Sequence, residues 1–341
     1  MSTVARVCLA LTLSLSACSR PQTQTGAAAP VTRPASVRIE LSTAPDAGDI
    51  PRLMAIDAMR AQGYVVETPV FADTTGTMLA LERGDLDFAN VQDVTAWAAI
   101  EKGARIVEVI DDSVNPTILA VNSTIKKCAD LQAKRVGVGN LGGGKTVMMS
   151  RYIERHCPGT VPDLLVVAGE NNRLAGLLAG ELDGAIMDED DLEEIEPARQ
   201  GEISALVVFA DEFPGVTLDS FFTRRELAEK YPGIVRDWLR NLLTARRHIQ
   251  DPKQLTDQLV ARLGMTPAVA QKTAVACLER NFWDVNGRYT PAIVQQNIDF
   301  MSSATGSRPS LKAGDVSDLT FLNAVLDEIG RKDAKAPPPN N

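Results

Sequence analysis

The chain has 341 residues, 45% of them apolar and 5% aromatic, with 44 acidic against 35 basic residues and a formal net charge of -9. That balance fits a globular α/β protein, excludes a polytopic membrane protein, and argues against nucleic acid, whose phosphates call for clustered Lys and Arg. The length suffices for two domains of ordinary size.

The N-terminus carries an export pattern. Arg6 gives a positive start, and Val7 to Leu15 form an apolar run too short to span a bilayer. Leu15-Ser16-Ala17-Cys18 follows, and it resembles a bacterial lipoprotein signal, in which Cys18 is lipidated and becomes the new N-terminus. A plain secretory peptide is the alternative. Residues 1–17 are thus expected to be a signal, and 18–36, rich in Pro, Thr, Gln and Ala, a flexible tether. The mature chain is expected on the periplasmic side of the cell envelope, held to a membrane by lipid on Cys18. ATP is scarce there, so many enzyme readings lose ground.

Short β-rich runs then alternate with helical ones. Strands are expected at Ser36–Ser42, Val65–Phe71, Asp87–Val91 and Arg105–Ile110, with helices at Pro51–Gln62, Thr74–Arg83 and Asp93–Lys102. A second unit begins with a strand at Thr117–Val121. Strands at Arg135–Gly139, Leu164–Val167, Gly184–Met187 and Ala205–Phe209 follow, with helices at Lys145–Arg155, Asn171–Ala179 and Asp188–Ala198. Thr217–Thr223 is strand-like, and the chain is almost wholly helical from Arg224 to Ile329. The alternation predicts two α/β lobes, each with a mainly parallel sheet flanked by helices, and a helical C-terminal extension. The expected division is 37–118 for lobe 1, 119–216 for lobe 2, and 217–330 for the completion of lobe 1 and the C-terminal helices, with 331–341 a frayed tail.

Several segments carry a family resemblance by their order and spacing. They are Leu41-Ser42-Thr43-Ala44-Pro45-Asp46, the runs Leu81–Val91 and Ala98–Ala104, Ala129–Val138, Leu177–Ala185, and Phe209–Gly215. Over about residues 36 to 260 the chain resembles the periplasmic solute-binding proteins of the nitrate/sulfonate/taurine class of ABC transporters. The resemblance implies a type II periplasmic binding protein fold and delivery of a small solute to the transmembrane subunits of an ABC permease. It implies no cofactor and no catalysis. The chain is expected to work as a monomer. The repeated Gly84-Asp85-Leu86-Asp87 and Gly180-Glu181-Leu182-Asp183 pieces read as helix exits, each glycine permitting a left-handed turn before a buried strand.

Gly139-Asn140-Leu141-Gly142-Gly143-Gly144-Lys145-Thr146 matches the Walker A pattern between a strand and a helix. The export signal, the loop's place in mid-chain and the family pattern all argue for a ligand loop instead. A P-loop hydrolase, an enzyme on the same fold, and a sensory module remain as alternatives. Backbone N–H groups at a helix N-terminus, with Lys145 beside them, suit an anionic group. Asn140, Gly142, Gly143, Gly144, Lys145 and Thr146 are therefore candidate ligand residues. Asp188, at a strand's C-terminal end, could bind an amine or reach Lys145. In the first lobe Thr43, Asp46, Thr74, Thr75, Gly76, Asn90, Gln92 and Asp93 sit where strands give way to helices, and Asn171 takes the analogous place in the second. Such hydroxyls and amides cap helices or bind ligand. Together these residues suit a small polar solute, anionic or zwitterionic.

Of five cysteines, Cys8 leaves with the signal and Cys18 carries lipid. Cys128 precedes one strand and Cys157 ends the helix after it, which makes them candidates for a disulfide away from the cleft. Cys277 is then a buried thiol. No Cys/His cluster supports a metal.

Overall fold

The computed structural model describes residues 36–42, 45–71, 74–114, 116–195, 199, 201–302 and 311–333. Cys18, Thr43, the export signal and the residues from Ala334 onward lie outside the described residues.

In the first lobe β1 (Val37–Arg38) pairs in parallel with β3 (Val66–Glu67), and β2 (Leu41–Ser42) with β4 (Val70–Phe71). The expected strand over Val65–Phe71 is thus two short pieces, parted by Thr68 and by Pro69, which lacks a backbone donor. A parallel bridge from Ile39 to Phe88 joins them to β5 (Phe88–Gln92). Strand β12 (Asp219–Arg224) enters from the far end of the chain and runs antiparallel between β5 and β6 (Ile106–Asp111). Helices α1 (Ile50–Ala61), α2 (Thr74–Arg83) and α3 (Asp93–Glu101) connect these strands.

The second lobe repeats the plan. Strands β7 (Thr117–Asn122), β8 (Arg135–Val138), β9 (Asp163–Val166), β10 (Gly184–Asp188) and β11 (Ile203–Val208) form one sheet in the order β11-β7-β10-β8-β9. Here β7 is the antiparallel member. In each lobe, then, every strand but one runs the same way, and the odd strand is the one the chain uses on crossing over. Helices α4 (Gly144–His156) and α5 (Glu170–Leu178) precede β9 and β10, and α6 (Phe209–Glu212) follows β11.

The two Gly-x-Leu-Asp pieces explain why the lobes look alike locally. Gly84 and Gly180 both adopt positive φ, at 83° and 72°, a left-handed conformation that glycine takes without strain. Leu86 and Leu182 drop into the core. The final aspartates then tie down the start of a neighbouring strand: Asp87 accepts from the Arg38 backbone at 2.9 Å, and Asp183 from that of Arg135 at 3.0 Å.

The helical remainder begins with α7 (Arg225–Lys230) and α8 (Pro232–His248), the latter packed on α1. Its Trp238 is fully buried between Phe88 and Phe221, with ring centroids at 5.4 and 5.6 Å. Helices α9 (Pro252–Leu263) and α10 (Pro267–Glu279) build a small separate core with Trp283 over Ala47 and Ile50. Next come α11 (Pro291–Ser302), α12 (Ala313–Val316) and α13 (Thr320–Ile329). Of these, α11 also reaches the second lobe, where Arg151 of α4 donates to the Phe300 carbonyl.

One expected element differs. In place of a helix over Asp188–Ala198 there is a short 3-10 turn at Glu189–Glu194, and the chain is extended again at Ile195. Asp188 and Asp191 close a reciprocal cap around its start, and a run of like charges gives a longer helix little support.

Candidate functional site

The loop Gly139–Gly143 between β8 and α4 is shaped by its glycines. A Cβ at Gly143 would lie 2.6 Å from the Asn140 side chain, and one at Gly144 would lie 2.7 Å from Leu218 on the segment crossing back to lobe 1. The loop can fold so tightly only without side chains there. Thr146 then turns inward, is buried, and donates its hydroxyl to the Asn140 carbonyl at 2.7 Å.

Lys145 lies in the first turn of α4, and its ammonium donates to Asp188 at 2.6 Å and to Glu170 at 2.9 Å. Glu170 also receives Arg173 at 2.9 Å, while Arg173 donates to the carbonyls of Ile186 and Val167. Thr117 donates to Asp188 at 3.1 Å, and the Asp188 backbone donates to Asp191 at 2.9 Å. Burial works against the charge on Lys145, yet Asp188 and Glu170 outweigh it and raise its pKa. Burial likewise opposes charge on Glu170, but Lys145 and Arg173 hold its carboxyl below the usual range. Asp188 ends raised, burial prevailing over Lys145. Asp191 is pushed up to about 8 by burial and by Glu170. The two side chains that a P-loop would offer to nucleotide and magnesium, Lys145 and Thr146, are both engaged with the protein itself.

The first lobe supplies a second charged set. Asp46 caps a 3-10 turn at Ala47–Asp49, accepting from Gly48 at 2.7 Å, while Asp49 accepts from Asp46 at 3.2 Å. Beneath them Arg52 is buried and paired with both Glu40 and Asp49. Burial raises Asp46, with Arg52 and Lys145 pulling the other way. Where β6 and β12 meet the crossing segments, Asp112 and Asp219 lie side by side, the Asp112 backbone donating to the Asp219 carbonyl at 3.2 Å. Burial pushes each of these carboxyls up to about 7. The charges of the two lobes act on one another: Asp46 feels Lys145 and Glu170, and Asp219 feels Lys145 and Asp188.

Other expected residues are spread around these sets. Gln92 is half-buried and stands opposite Asp219 in strand register. Asn90 is half-buried, and its backbone donates to Glu40 at 3.4 Å. Thr75, Asn140 and Gly142 line a mostly apolar cavity of about 660 Å³ with Met78, Trp97 and Met301. Thr74 and Gly76 are half-buried in the first turn of α2. Asn171 is exposed in the first turn of α5.

Asp93 is not at the cleft surface. It is fully buried and accepts from Thr217 at 3.1 Å, inside a network with Tyr289, Ser220 and Asn297. The strand-to-helix position is the expected one, but the first residue of α3 turns into the core. Sequence reasoning missed Glu170, Asp112 and Asp219. Asp112 follows the end of β6 and Asp219 opens β12, positions at the lobe crossings that the expected topology already implied.

Among the described residues, no group of three or more His, Cys, Asp or Glu is arranged to hold a metal ion. No described helix is long and apolar enough to cross a membrane.

A family model described as NMT1/THI5 like matches residues 61–254, more than half of the chain. The chain belongs to the NMT1/THI5-like family. No curated protein matches it. Solved structures share the fold of this NMT1/THI5-like chain at low identity. The ligand-binding component of an ABC-type import system from Staphylococcus aureus, with zinc bound, is 14% identical at a TM-score of 0.70, over 86% of this chain and 99% of that one. The alkanesulfonate-binding protein SsuA from Xanthomonas axonopodis pv. citri, bound to MOPS, is 18% identical at 0.65, over 84% and 99%. The nitrate-binding protein NrtA from Synechocystis PCC 6803 is 12% identical at 0.65, over 87% and 89%. The fold is the two-lobed type II periplasmic binding protein fold.

Proposed function

We propose that this protein is the solute-binding component of an ABC importer. It captures a small polar solute, anionic or zwitterionic, between its lobes and presents it to the transmembrane subunits of a permease. The observation that carries the reading is the meeting of two charged sets, one per lobe, across the line where the chain changes lobes twice. Small ligands bind where strand ends and helix starts converge in such folds. A solute touching Asp46 or Asp219 on one side and the Lys145–Asp188 pair on the other would favour a closed state by contacting both lobes at once.

The engagement of Lys145 and Thr146 within the protein supports binding over nucleotide hydrolysis. The Staphylococcus aureus fold relative, named as the ligand-binding component of an ABC-type import system, supports the same reading. With Leu15-Ser16-Ala17-Cys18 as its lipid signal, the protein would be anchored on the periplasmic side through Cys18 and would act as a monomer.

Native mass spectrometry of the purified full chain tests the reading. A small solute retained at one per chain, and released with a drop in melting temperature, is the expected result. Binding contributes RT ln(1 + [L]/Kd), roughly 2.7 kcal/mol at a hundredfold excess over Kd. Magnesium-dependent ATP turnover that vanished in Lys145→Ala would overturn it.

A further inference from the structure

The two charged sets of the cleft are built on different lobes, and one short segment is tied to both. Residues 280–283 follow α10 and belong with lobe 1, since Trp283 sits in the small core formed with Ala47 and Ile50. The Trp283 indole N–H donates to the Gly48 carbonyl at 3.2 Å, inside the turn that Asp46 caps. The Phe282 ring covers the same glycine, where a Cβ would lie 3.6 Å from it. The Phe282 carbonyl accepts from the Val114 backbone at 2.7 Å, on the first of the two crossings between lobes.

Arg280 opens this segment, and its guanidinium leaves the lobe. It donates to Glu189 at 2.6 Å and lies 3.7 Å from Asp211. Both acids belong to lobe 2, Glu189 following β10 and Asp211 lying in α6. The other cations near the cleft behave differently: Lys145 pairs within lobe 2, and Arg52 and Arg246 pair within lobe 1. Glu189 is also the chain neighbour of Asp188, and its backbone N–H donates to the Pro116 carbonyl at 3.0 Å. Arg280 is 28% exposed, so its guanidinium can return to water when the contact breaks, whereas Arg246 is fully buried against Asp111. A contact made and broken as lobes move needs that exposure.

We infer that Arg280 is a positioning residue for solute capture, which draws lobe 2 toward lobe 1 through Glu189 and Asp211 and so sets how often the cleft stands closed. The inference rests on the solute-binding reading above, and it gives one side chain part of the closing that the reading assigns to the solute. Holding Glu189 holds the Lys145–Asp188 pair beside it opposite the turn of Asp46, to which Phe282 and Trp283 are fixed. A partly exposed ion pair changes an equilibrium by up to about fivefold. That is enough to raise the share of closed molecules, and with it the apparent affinity, without locking the lobes against release.

The test is small-angle X-ray scattering of the full chain, refolded from urea to remove small molecules and measured with no solute added. Arg280→Glu turns attraction to both acids into repulsion and should lower the closed-to-open ratio about tenfold or more, read as a larger radius of gyration. Arg280→Lys keeps the charge and should stay near the parent. Adding Glu189→Arg to Arg280→Glu rebuilds the pair with its charges exchanged and should recover most of the compaction. Salt at about 1 M, where the Debye length is about 3 Å, should expand the parent more than Arg280→Gln. The substituted side chains are all partly exposed, so the variants should fold, and melting curves check this. Unchanged dimensions in Arg280→Glu would overturn the inference. So would an expansion that Glu189→Arg does not reverse, because a side chain that merely propped the end of α10 would be indifferent to the charge at residue 189. Neither result touches the solute-binding reading, which retention of a solute in native mass spectrometry judges separately.

Discussion

Lys145 shows how one side chain changes meaning between sequence and structure. Its motif promised a cation free to meet a phosphate or a solute anion. In the fold it is, among the described residues, the only cation bonded to Asp188 and one of two on Glu170. Lys145→Met should therefore destabilise the protein by about 2 kcal/mol, because it leaves two carboxylates facing each other in a half-buried place. Adding Asp188→Asn to Lys145→Met should restore part of the loss, since the acid left behind is what makes the single change costly. Urea unfolding of the two variants measures this. A Lys145→Met variant as stable as the parent would mean that the pair contributes nothing, as with many exposed ion pairs. The sequence put Lys145 and Asp188 within possible reach of each other. Glu170 was hidden among acidic residues because its role depends on where α5 starts, and Asp93 looked accessible because capping positions in sequence carry no sign of inward or outward.

At the scale of elements, α4 and β8 are held at both ends. The glycine loop fixes their cleft end, and a disulfide between Cys128 and Cys157 joins the opposite ends, with Cα atoms 5.8 Å apart and Cys277 buried outside it. Closing a loop of about 30 residues stabilises by about 3.6 kcal/mol when the gain is entropy removed from the unfolded chain. Cys128→Ser with Cys157→Ser should lower stability by about that amount while leaving the lobes folded. Non-reducing peptide mapping should find the two cysteines in one linked peptide, and two free thiols there would sink the idea. Most element positions were readable because apolar periodicity switches cleanly between strands and helices along this chain. The run after Asp188 was misjudged for a physical reason: acidic residues favour a helix start but cannot extend one without partners. Strand Val65–Phe71 broke in two because Pro69 cannot donate within a ladder.

Across the whole molecule, burial of acids without matching bases ties stability to pH. Glu108 is fully buried, with Ser220, Tyr289 and Trp97 around its carboxyl, and burial raises it to about 7. Asp112 and Asp219 reach about 7 and Asp191 about 8, burial again leading. Each has an ordinary value near 4 in the unfolded chain. Between that value and the folded one, the native protein holds more protons than the unfolded chain, so stability increases as pH falls through the window. Opposing groups, among them Glu170 and Asp183, are lowered, and their contribution is lost only when pH falls through the ordinary carboxylate range. Maximal stability is therefore expected near pH 5 rather than near pH 8. Thermal melts at unit steps from pH 5 to 8 should show the midpoint falling steadily as pH rises. Glu108→Gln should raise the midpoint at pH 8 and flatten the profile, because the amide fills the same space without a charge to desolvate. A profile that is level or climbs from pH 5 to 8 would show that these carboxyls are ionised at no cost in the fold, and the charge arrangement described for the cleft would then fail with it.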